Sequence, residues 1–205
     1  MPGASYHHGN LKEALVEAAR KFIAERGLGG FTLADAAKLV GVTPAALYRH
    51  FRGRDALVAE VADRGFDQLA QRLAWALREN GSPVERFTRM GEAYLKFAEE
   101  EPGFYTAMFA HPGESDAQGT PWGPEASSPT GAFNLLLNGL MVAFPEGLEG
   151  ADPRPIALQV WAFTHGVATL SAAQQLPTVP GLPDKHQLLR SGVLAIVHGA
   201  TRRAS

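Results

Sequence analysis

Apolar residues recur at helical spacing along most of the chain, and no segment shows the regular apolar-polar alternation that marks a strand. Residues 10–27 illustrate the pattern, because their apolar positions fall three or four apart and so share one face. Capping residues, glycines and prolines divide the remainder into further runs, which predict helices over residues 32–41, 43–51, 54–79, 83–101, 103–110, 132–144, 152–176 and 184–203. The pattern therefore predicts an all-α protein with about nine helices.

Two of the predicted helices are short and are separated by a tight turn. Helix two is about eight residues long and helix three about seven, and residues 41–43 join them with a glycine in first place. Thr32 is expected to cap helix two in a capping box with Asp35, and Thr43 to cap helix three, with Pro44 in its first position. Two short helices joined in this way are typical of a helix-turn-helix, whose second helix enters the major groove of DNA.

Side chains of the third predicted helix divide into an inward and an outward set. Leu47 and Phe51 share the inward face, while Ala36 and Ala37 are small enough for helix three to cross closely over helix two. The outward set offers methyl groups to thymine, polar groups to phosphate and one guanidinium to a base edge. With the capping threonines and the basic residue that opens helix four, the candidate DNA contacts are Thr32, Thr43, Ala45, Ala46, Tyr48, Arg49, His50 and Arg54. The alternative is a three-helix packing unit in which these polar residues are incidental.

These residues carry a resemblance to a known family. The segment FTLADAAKLVGVTPAALYRHFRGRDAL, residues 31–57, resembles the DNA-binding signature of the tetracycline-repressor-like (TetR/AcrR) transcription regulators in its opening threonine, its turn, its LYRHF run and the basic residue that follows. The resemblance implies an N-terminal three-helix DNA-binding domain over residues 7–57 and a larger ligand-binding and dimer-forming helical domain over residues 58–205. It also implies phosphate contacts for Tyr48 and Arg54.

A second resemblance lies in WAFTHG, residues 161–166, which is similar to the Trp-x-x-x-His-Gly signature of a TetR subgroup. Trp161 and His165 are four residues apart and share a helix face, and Gly166 would let a neighbouring helix approach closely. Two interpretations stay open. These residues line a pocket or a dimer interface, or they are a buried histidine with a satisfied hydrogen bond beneath a tryptophan.

Aromatic and methionine side chains beyond the DNA-binding segment suit a pocket for an apolar or aromatic effector, although each would also serve as ordinary core. The candidate ligand-binding residues are Tyr94, Phe97, Phe104, Met108, Phe109, Trp122, Phe133, Met141, Trp161 and His165. The last two predicted helices are apolar on more than one side, and the resemblance implies that they pair with their copies in a homodimer. Such a dimer suits a palindromic double-stranded DNA operator.

Composition and charge narrow the function classes. The 205 residues include no cysteine, which excludes disulfides, thiolate catalysis and cysteine-based zinc sites. No apolar run approaches the ~18 residues of a membrane span and the start lacks a secretory signal, so we expect a cytoplasmic protein with no membrane contact. The net charge is −2, yet residues 1–55 hold eight Lys/Arg against five Asp/Glu, whereas residues 56–205 hold eleven against sixteen. A basic module joined to an acidic body favours a DNA-binding segment at the N-terminus.

The chain contains no G-x-S-x-G, H-E-x-x-H or P-loop motif, so we expect no enzyme, cofactor or metal. We expect instead a ligand-responsive repressor that binds its operator as a homodimer and responds to a small-molecule effector. The alternative is a helical small-molecule-binding or scaffolding protein without DNA activity, which would leave the N-terminal motif unexplained. His7 and His8 belong either to a DNA-contacting arm or to a disordered terminus. Residues 111–131, of which eleven are Gly, Pro or Ser, predict a long loop.

Overall fold

The computed structural model describes residues 11–110, 129–145 and 152–201, and within these ranges the protein contains nine α-helices, one 3-10 helix and no strand. The helices are α1 (Leu11–Arg26), α2 (Leu33–Val40), α3 (Pro44–Tyr48), α4 (Arg54–Arg78), α5 (Pro83–Glu100), α6 (Pro102–Ala110), α7 (Pro129–Ala143), α8 (Arg154–Ala172) and α9 (Lys185–Thr201). The 3-10 helix, Leu28–Gly30, connects α1 to α2. The all-α prediction is confirmed, and none of these helices is long and apolar enough to cross a membrane.

The third helix is shorter than its sequence pattern predicts. It ends at Tyr48 rather than Phe51, because the backbone tightens and the His50 N–H donates to the Leu47 carbonyl at 2.9 Å. The Phe51 N–H donates to the same carbonyl at 3.0 Å, so the Phe51 side chain still reaches the core. Arg49 and His50 therefore lie in the turn that follows α3 and not on the helix itself.

The ends of α7 and α8 also differ from the sequence pattern. α7 begins at Pro129, inside the predicted loop of residues 111–131, and residues 111–128 of that loop lie outside the described ranges. α8 ends at Ala172, which is four residues earlier than predicted. The cause is Gln174, whose φ of 55° is a left-handed conformation that a right-handed helix cannot contain.

The chain forms two compact units, and the first contains residues 1–65 and 101–118. In its described part, α1 packs against α2 and α6, and the buried face of α1 includes Leu15, Ala19 and Ile23. The first unit therefore includes α6, which the predicted boundary between residues 57 and 58 assigned to the C-terminal domain.

A glycine explains how α6 packs in this unit. A Cβ atom at Gly103 would overlap the carbonyl oxygen of Arg20, so the backbones of α6 and α1 are in direct contact there. Any residue larger than glycine would push the two helices apart. The Arg20 side chain covers the neighbouring residue on α6, with its guanidinium 5.4 Å from the centre of the Phe104 ring.

The second unit contains residues 66–100 and 119–205. Its described helices are the remainder of α4 together with α5, α7, α8 and α9, in which α5 packs against α7 and α8, and α8 against α9. A Cβ at Gly192 of α9 would overlap the Phe163 ring of α8. Gly166 differs from its prediction, because no neighbouring atom of the described chain lies within 4 Å of a Cβ placed there. The close approach expected at Gly166 is found at Gly192.

Candidate functional sites

Two threonine side chains cap the helices on either side of the turn between α2 and α3. The Thr32 hydroxyl accepts the Asp35 N–H at 3.2 Å. The Asp35 carboxylate accepts the Thr32 hydroxyl at 2.7 Å and the Thr32 N–H at 2.8 Å, and these two bonds lower the pKa of that carboxyl. The Thr43 hydroxyl accepts the Ala46 N–H at 3.3 Å. Between the caps, Gly41 has φ 77° and ψ 30°, a left-handed conformation that glycine adopts without steric cost. Both predicted caps are confirmed.

The inward residues of this motif are buried, as their spacing predicts. Ala36 and Ala37 of α2 are completely covered, and so are Leu47 of α3 and Phe51 just after it. Small side chains on α2 let α3 pack closely upon it. Tyr48, by contrast, is 58% exposed. The motif thus has a firm apolar support beneath an exposed outer side.

The eight candidate DNA contacts lie on or beside α2, α3 and the first turn of α4. Those exposed to solvent are Thr32, Thr43, Ala45, Tyr48, Arg49 and His50. Ala46 and Arg54 are half-buried. The Arg54 guanidinium lies over the Phe31 ring at 5.1 Å and 3.5 Å from the Asp55 carboxylate, so part of its binding capacity is already used within the protein.

Cations near the α2–α3 turn differ from those that join α1 to α4 through ion pairs. On α4, Arg64 pairs with Glu13 of α1, and the guanidinium holds the pKa of that carboxyl below its ordinary value. Lys38, Arg49 and Arg52 are exposed, and within the described ranges none of the three forms an ion pair, although the charge of Lys38 helps to lower the pKa of the nearby Asp35 carboxyl. Lys38 and Arg52 were not among the DNA contacts predicted from the sequence, although the excess of basic residues in this segment could have indicated them.

We define the reading face as the exposed side chains of Lys38, Thr43, Ala45, Tyr48, Arg49, His50 and Arg52. Its three unpaired cations can neutralise phosphates, and its hydroxyl and imidazole groups can form hydrogen bonds to phosphate oxygens. Ala45 presents only a methyl group, which allows close approach to a base edge. His7 and His8, the other N-terminal candidates, lie outside the described residues.

The second unit contains a partly open cavity among α4, α5, α7, α8 and α9, with an empty volume of about 630 Å³ that includes solvent at its mouth. Its apolar walls are formed by Leu73, Phe87, Met90, Tyr94, Leu136, Val160, Trp161, Leu189, Val193 and Leu194. Its polar lining residues are Thr88, Glu92, Thr164, His186 and Arg190. Arg190 donates to Glu92 at 3.0 Å. In the described part of the chain, no cluster of His, Asp or Glu could hold a metal ion.

Four of the predicted ligand-binding residues lie together. The rings of Tyr94 and Trp161 meet edge to face at 5.7 Å, and Phe133 meets Trp161 at 6.1 Å. The Tyr94 hydroxyl is hydrogen-bonded to Nδ1 of His165 at 3.2 Å, and Nε2 of His165 lies 3.5 Å from the Thr169 hydroxyl. Burial lowers the pKa of His165 and so favours its neutral form. Tyr94 and Trp161 line the cavity, as the pocket interpretation predicts. His165 has its hydrogen bonds satisfied, as the interpretation of a structural histidine predicts.

Phe97 and Met141, two other candidates of the second unit, do not line the cavity. Phe97 is completely buried, with the Arg72 guanidinium 5.3 Å from its ring centre, and Met141 is 39% exposed. Trp122 lies outside the described residues. The cavity residues that the sequence did not select are mainly aliphatic side chains of α8 and α9, whose only signal was that these helices are apolar on more than one side.

The remaining candidates, Phe104, Met108 and Phe109, are on α6 and therefore belong to the first unit. Phe104 lies beneath Arg20 of α1, and a Cβ at Gly65 would come within 2.7 Å of the Met108 sulfur. Phe104 and Met108 are buried in the core of this unit, whereas Phe109 is half-buried. A ligand role for them rested on composition alone, which does not tell to which unit a helix belongs.

Two protein-family models match the chain, one on each side of residues 62–86, and the second match includes α6 although this helix packs in the first unit. Residues 15–61 match the family described as bacterial regulatory proteins, tetR family. Residues 87–196, which are more than half of the chain, match the family described as tetracyclin repressor-like, C-terminal domain. The first match contains the α2–α3 motif and the second contains most of the cavity.

Individual relatives agree with these matches. An uncharacterised HTH-type transcriptional regulator, YobS of Bacillus subtilis (strain 168), is 33% identical over 99 residues, which are 48% of this chain and 51% of that protein. The chain spans about half the length of the curated relatives that it matches. A structure of a protein with unknown function from Rhodococcus sp. RHA1 aligns with a TM-score of 0.75 and 26% identity, over 96% of this chain and 98% of that one. The fatty acid degradation regulator FadR from Bacillus halodurans shares the fold, with a TM-score of 0.65 and 16% identity over 91% and 98% of the two chains.

Proposed function

Because the chain belongs to the TetR family of bacterial regulatory proteins, whose members are DNA-binding transcription regulators, we propose that it is a ligand-responsive repressor. In this proposal a homodimer binds a palindromic operator through two reading faces, one from each copy. A small molecule in the cavity of the second unit releases the DNA. The protein acts in the cytoplasm, where the operator is.

The observation that carries the DNA-binding proposal is the set of unpaired cations on the reading face. Lys38, Arg49 and Arg52 form no ion pair within the described chain, so their charge is available to phosphates. Tyr48 is exposed beside them on a helix that the caps and the buried residues hold in place. We propose that Tyr48 and the cations bind the DNA backbone while Ala45 approaches the base edges.

Support for the dimer and for ligand control comes from α8. Leu158 and Leu170 are 50% and 42% exposed, and a second copy would cover such apolar surface. On the same helix, Val160 and Trp161 line the cavity. A ligand that changes the position of α8 would therefore also change the dimer and the spacing of the two reading faces. The change in operator affinity equals the difference in ligand binding to the two states, typically ~1–3 kcal/mol.

In vitro selection of bound DNA from a random pool tests the central proposal. We expect enrichment of an inverted repeat whose half-sites lie about one helical turn apart, because a twofold dimer presents two equivalent faces. Sedimentation of the same preparation at micromolar concentration should give the mass of two chains. A pool that shows no enrichment would contradict the repressor and favour a small-molecule-binding protein without DNA activity.

A further inference from the structure

One polar atom inside the cavity has no partner. Thr164 of α8 lines the cavity and is 7% exposed, and no group in the described part of the chain forms a hydrogen bond with its hydroxyl. The other lining threonine, Thr88 of α5, is different, because its hydroxyl donates to the Val84 carbonyl at 2.9 Å. An apolar ligand that displaces water from this hydroxyl would leave it without a partner, whereas a ligand oxygen at the same place gains a hydrogen bond.

The other polar groups of the lining are already satisfied or lie at the exposed end. The Tyr94 hydroxyl is hydrogen-bonded to His165. Glu92 and Arg190 are paired at 3.0 Å and their side chains are 37% and 59% exposed, so the charges of the lining stay in contact with water. The buried lining around Thr164 is aromatic and aliphatic, with Trp161 and Val160 on the same helix.

This arrangement of polar groups selects a class of ligand. A charged group beside Thr164 would lose its hydration while Arg190 and Glu92 of the lining are already paired with each other, whereas a hydroxyl or carbonyl oxygen would need only the one hydrogen bond that Thr164 can form. The edge-to-face rings of Tyr94 and Trp161 suit an aromatic or alicyclic body. We infer that the cavity binds a neutral, largely apolar molecule whose single hydroxyl or carbonyl oxygen is hydrogen-bonded to Thr164. This inference rests on the proposed function only in that it takes the cavity as the effector site.

Three small molecules with the same ring system test whether the cavity prefers an apolar, a neutral hydroxyl-bearing or an anionic ligand. Isothermal titration calorimetry of the full chain at pH 7 compares naphthalene, 2-naphthol and 2-naphthoate, which are respectively apolar, neutral with a hydroxyl, and anionic. Wild type should bind 2-naphthol about tenfold more tightly than either of the others, as one hydrogen bond to a buried group allows. Equal binding of naphthalene and 2-naphthol, tighter binding of 2-naphthoate, or no binding of 2-naphthol would overturn the inference.

Variants at the two lining threonines locate the effect. Thr164→Val keeps the shape of the side chain and removes the hydroxyl, so it should reduce the preference for 2-naphthol over naphthalene to about twofold or less, while Thr164→Ser should retain most of it. Thr88→Val is the matched control, since its hydroxyl is already bonded, and should keep the wild-type ratio. A preference that survives in Thr164→Val would assign the oxygen to another partner and overturn the inference.

Two further measurements keep these outcomes distinct. Thr164→Val breaks no hydrogen bond of the described chain, so its melting temperature should stay close to that of wild type, and a retained melting temperature would exclude misfolding as the cause of a lost preference. A DNA mobility shift with the same preparations tests the repressor separately. In wild type, an absent 2-naphthol preference with intact DNA binding would contradict the ligand class alone, whereas absent DNA binding with an intact preference would contradict only the proposed repressor.

Discussion

One helix crossing in each compact unit depends on a glycine, and these two glycines face different kinds of atom. In the first unit, Gly103 lets α6 lie against the backbone of α1, where a Cβ would overlap the Arg20 carbonyl oxygen. In the second unit, Gly192 lets α9 lie against α8, but the atoms that a Cβ would meet belong to the half-exposed ring of Phe163. A carbonyl oxygen inside a helix cannot move aside without moving the helix, whereas a partly exposed ring can rotate.

This difference in packing matches the kind of candidate site in each unit, a surface in the first and a cavity in the second. The reading face is a surface whose side chains keep their positions only while α2 and α3 keep their packing. The cavity is bounded by side chains from five helices, and helices that meet through side chains can shift by small amounts. We therefore expect the first unit to tolerate little change in helix spacing and the second unit to tolerate more.

Gly103→Ala is the most severe test of this contrast. The added methyl group forces α1 and α6 apart, and we expect a loss of about 3 kcal/mol in the free energy of unfolding, which corresponds to roughly 10 °C in melting temperature. Thermal unfolding followed by circular dichroism measures it. The control is Gly131→Ala on α7, where a Cβ meets nothing within 4 Å and we expect a change within ~0.5 kcal/mol. Equal effects of the two substitutions would contradict the backbone contact.

Gly192→Ala should destabilise the protein by a smaller amount, about 1–2 kcal/mol, because the Phe163 ring can give way. Adding Phe163→Leu should restore most of the loss, which a thermal double-mutant cycle would show as a coupling between the two positions. Gly166→Ala is the comparison on α8. With no described neighbour to meet, alanine there should stabilise the helix by up to ~1 kcal/mol. Additive effects of Gly192→Ala and Phe163→Leu would refute the ring contact.

Salt dependence tests whether the cations of the reading face act on DNA. Lys38→Ala and Arg52→Ala should each lower the slope of log binding constant against log salt by about 0.9, since each removes one phosphate contact. Fluorescence anisotropy with the selected operator measures that slope. Lys21→Ala is the control, because Lys21 is also exposed but pairs with Glu17 at 3.6 Å and lies on α1, outside the reading face. Equal slopes for all three variants would remove Lys38 and Arg52 from the reading face.

The smallest expected effect is a change in the pH dependence of stability caused by His165, which is hydrogen-bonded to Tyr94 in the second unit. Burial lowers the pKa of His165 in the folded protein, so the unfolded chain takes up the proton more readily as pH falls. The stability that the neutral ring provides is complete above the ordinary histidine pKa of ~6.5 and is lost as pH falls toward the lowered folded value. Chemical unfolding between pH 8 and pH 5 should therefore show a steeper loss for wild type than for His165→Asn. Parallel curves would mean that burial does not disfavour the charged ring.

The sequence determined the features that depend on residues close together in the chain. The caps at Thr32 and Thr43, the left-handed turn at Gly41 and the inward faces of α2 and α3 all follow from hydrogen bonds and spacings within about four residues. Such interactions form in almost any tertiary context, which is why the helix-turn-helix was predictable residue by residue. The end of α3 was not predictable from the sequence. The hydrogen bond from the His50 N–H to the Leu47 carbonyl ends the helix, and this bond is close in energy to the one that would continue it.

Only the tertiary structure decided which helices share a unit and which side chains face the cavity. Phe104 and Met108 resemble pocket residues in the sequence as much as Tyr94 does, but α6 packs on α1 and carries them into the first unit. The cavity residues are spread over residues 73–194, and their side chains meet only when five helices have taken their places. The unpaired Thr164 hydroxyl has the same origin. A hydrogen bond that is missing depends on every neighbour of the group, and those neighbours come from helices far apart in the chain.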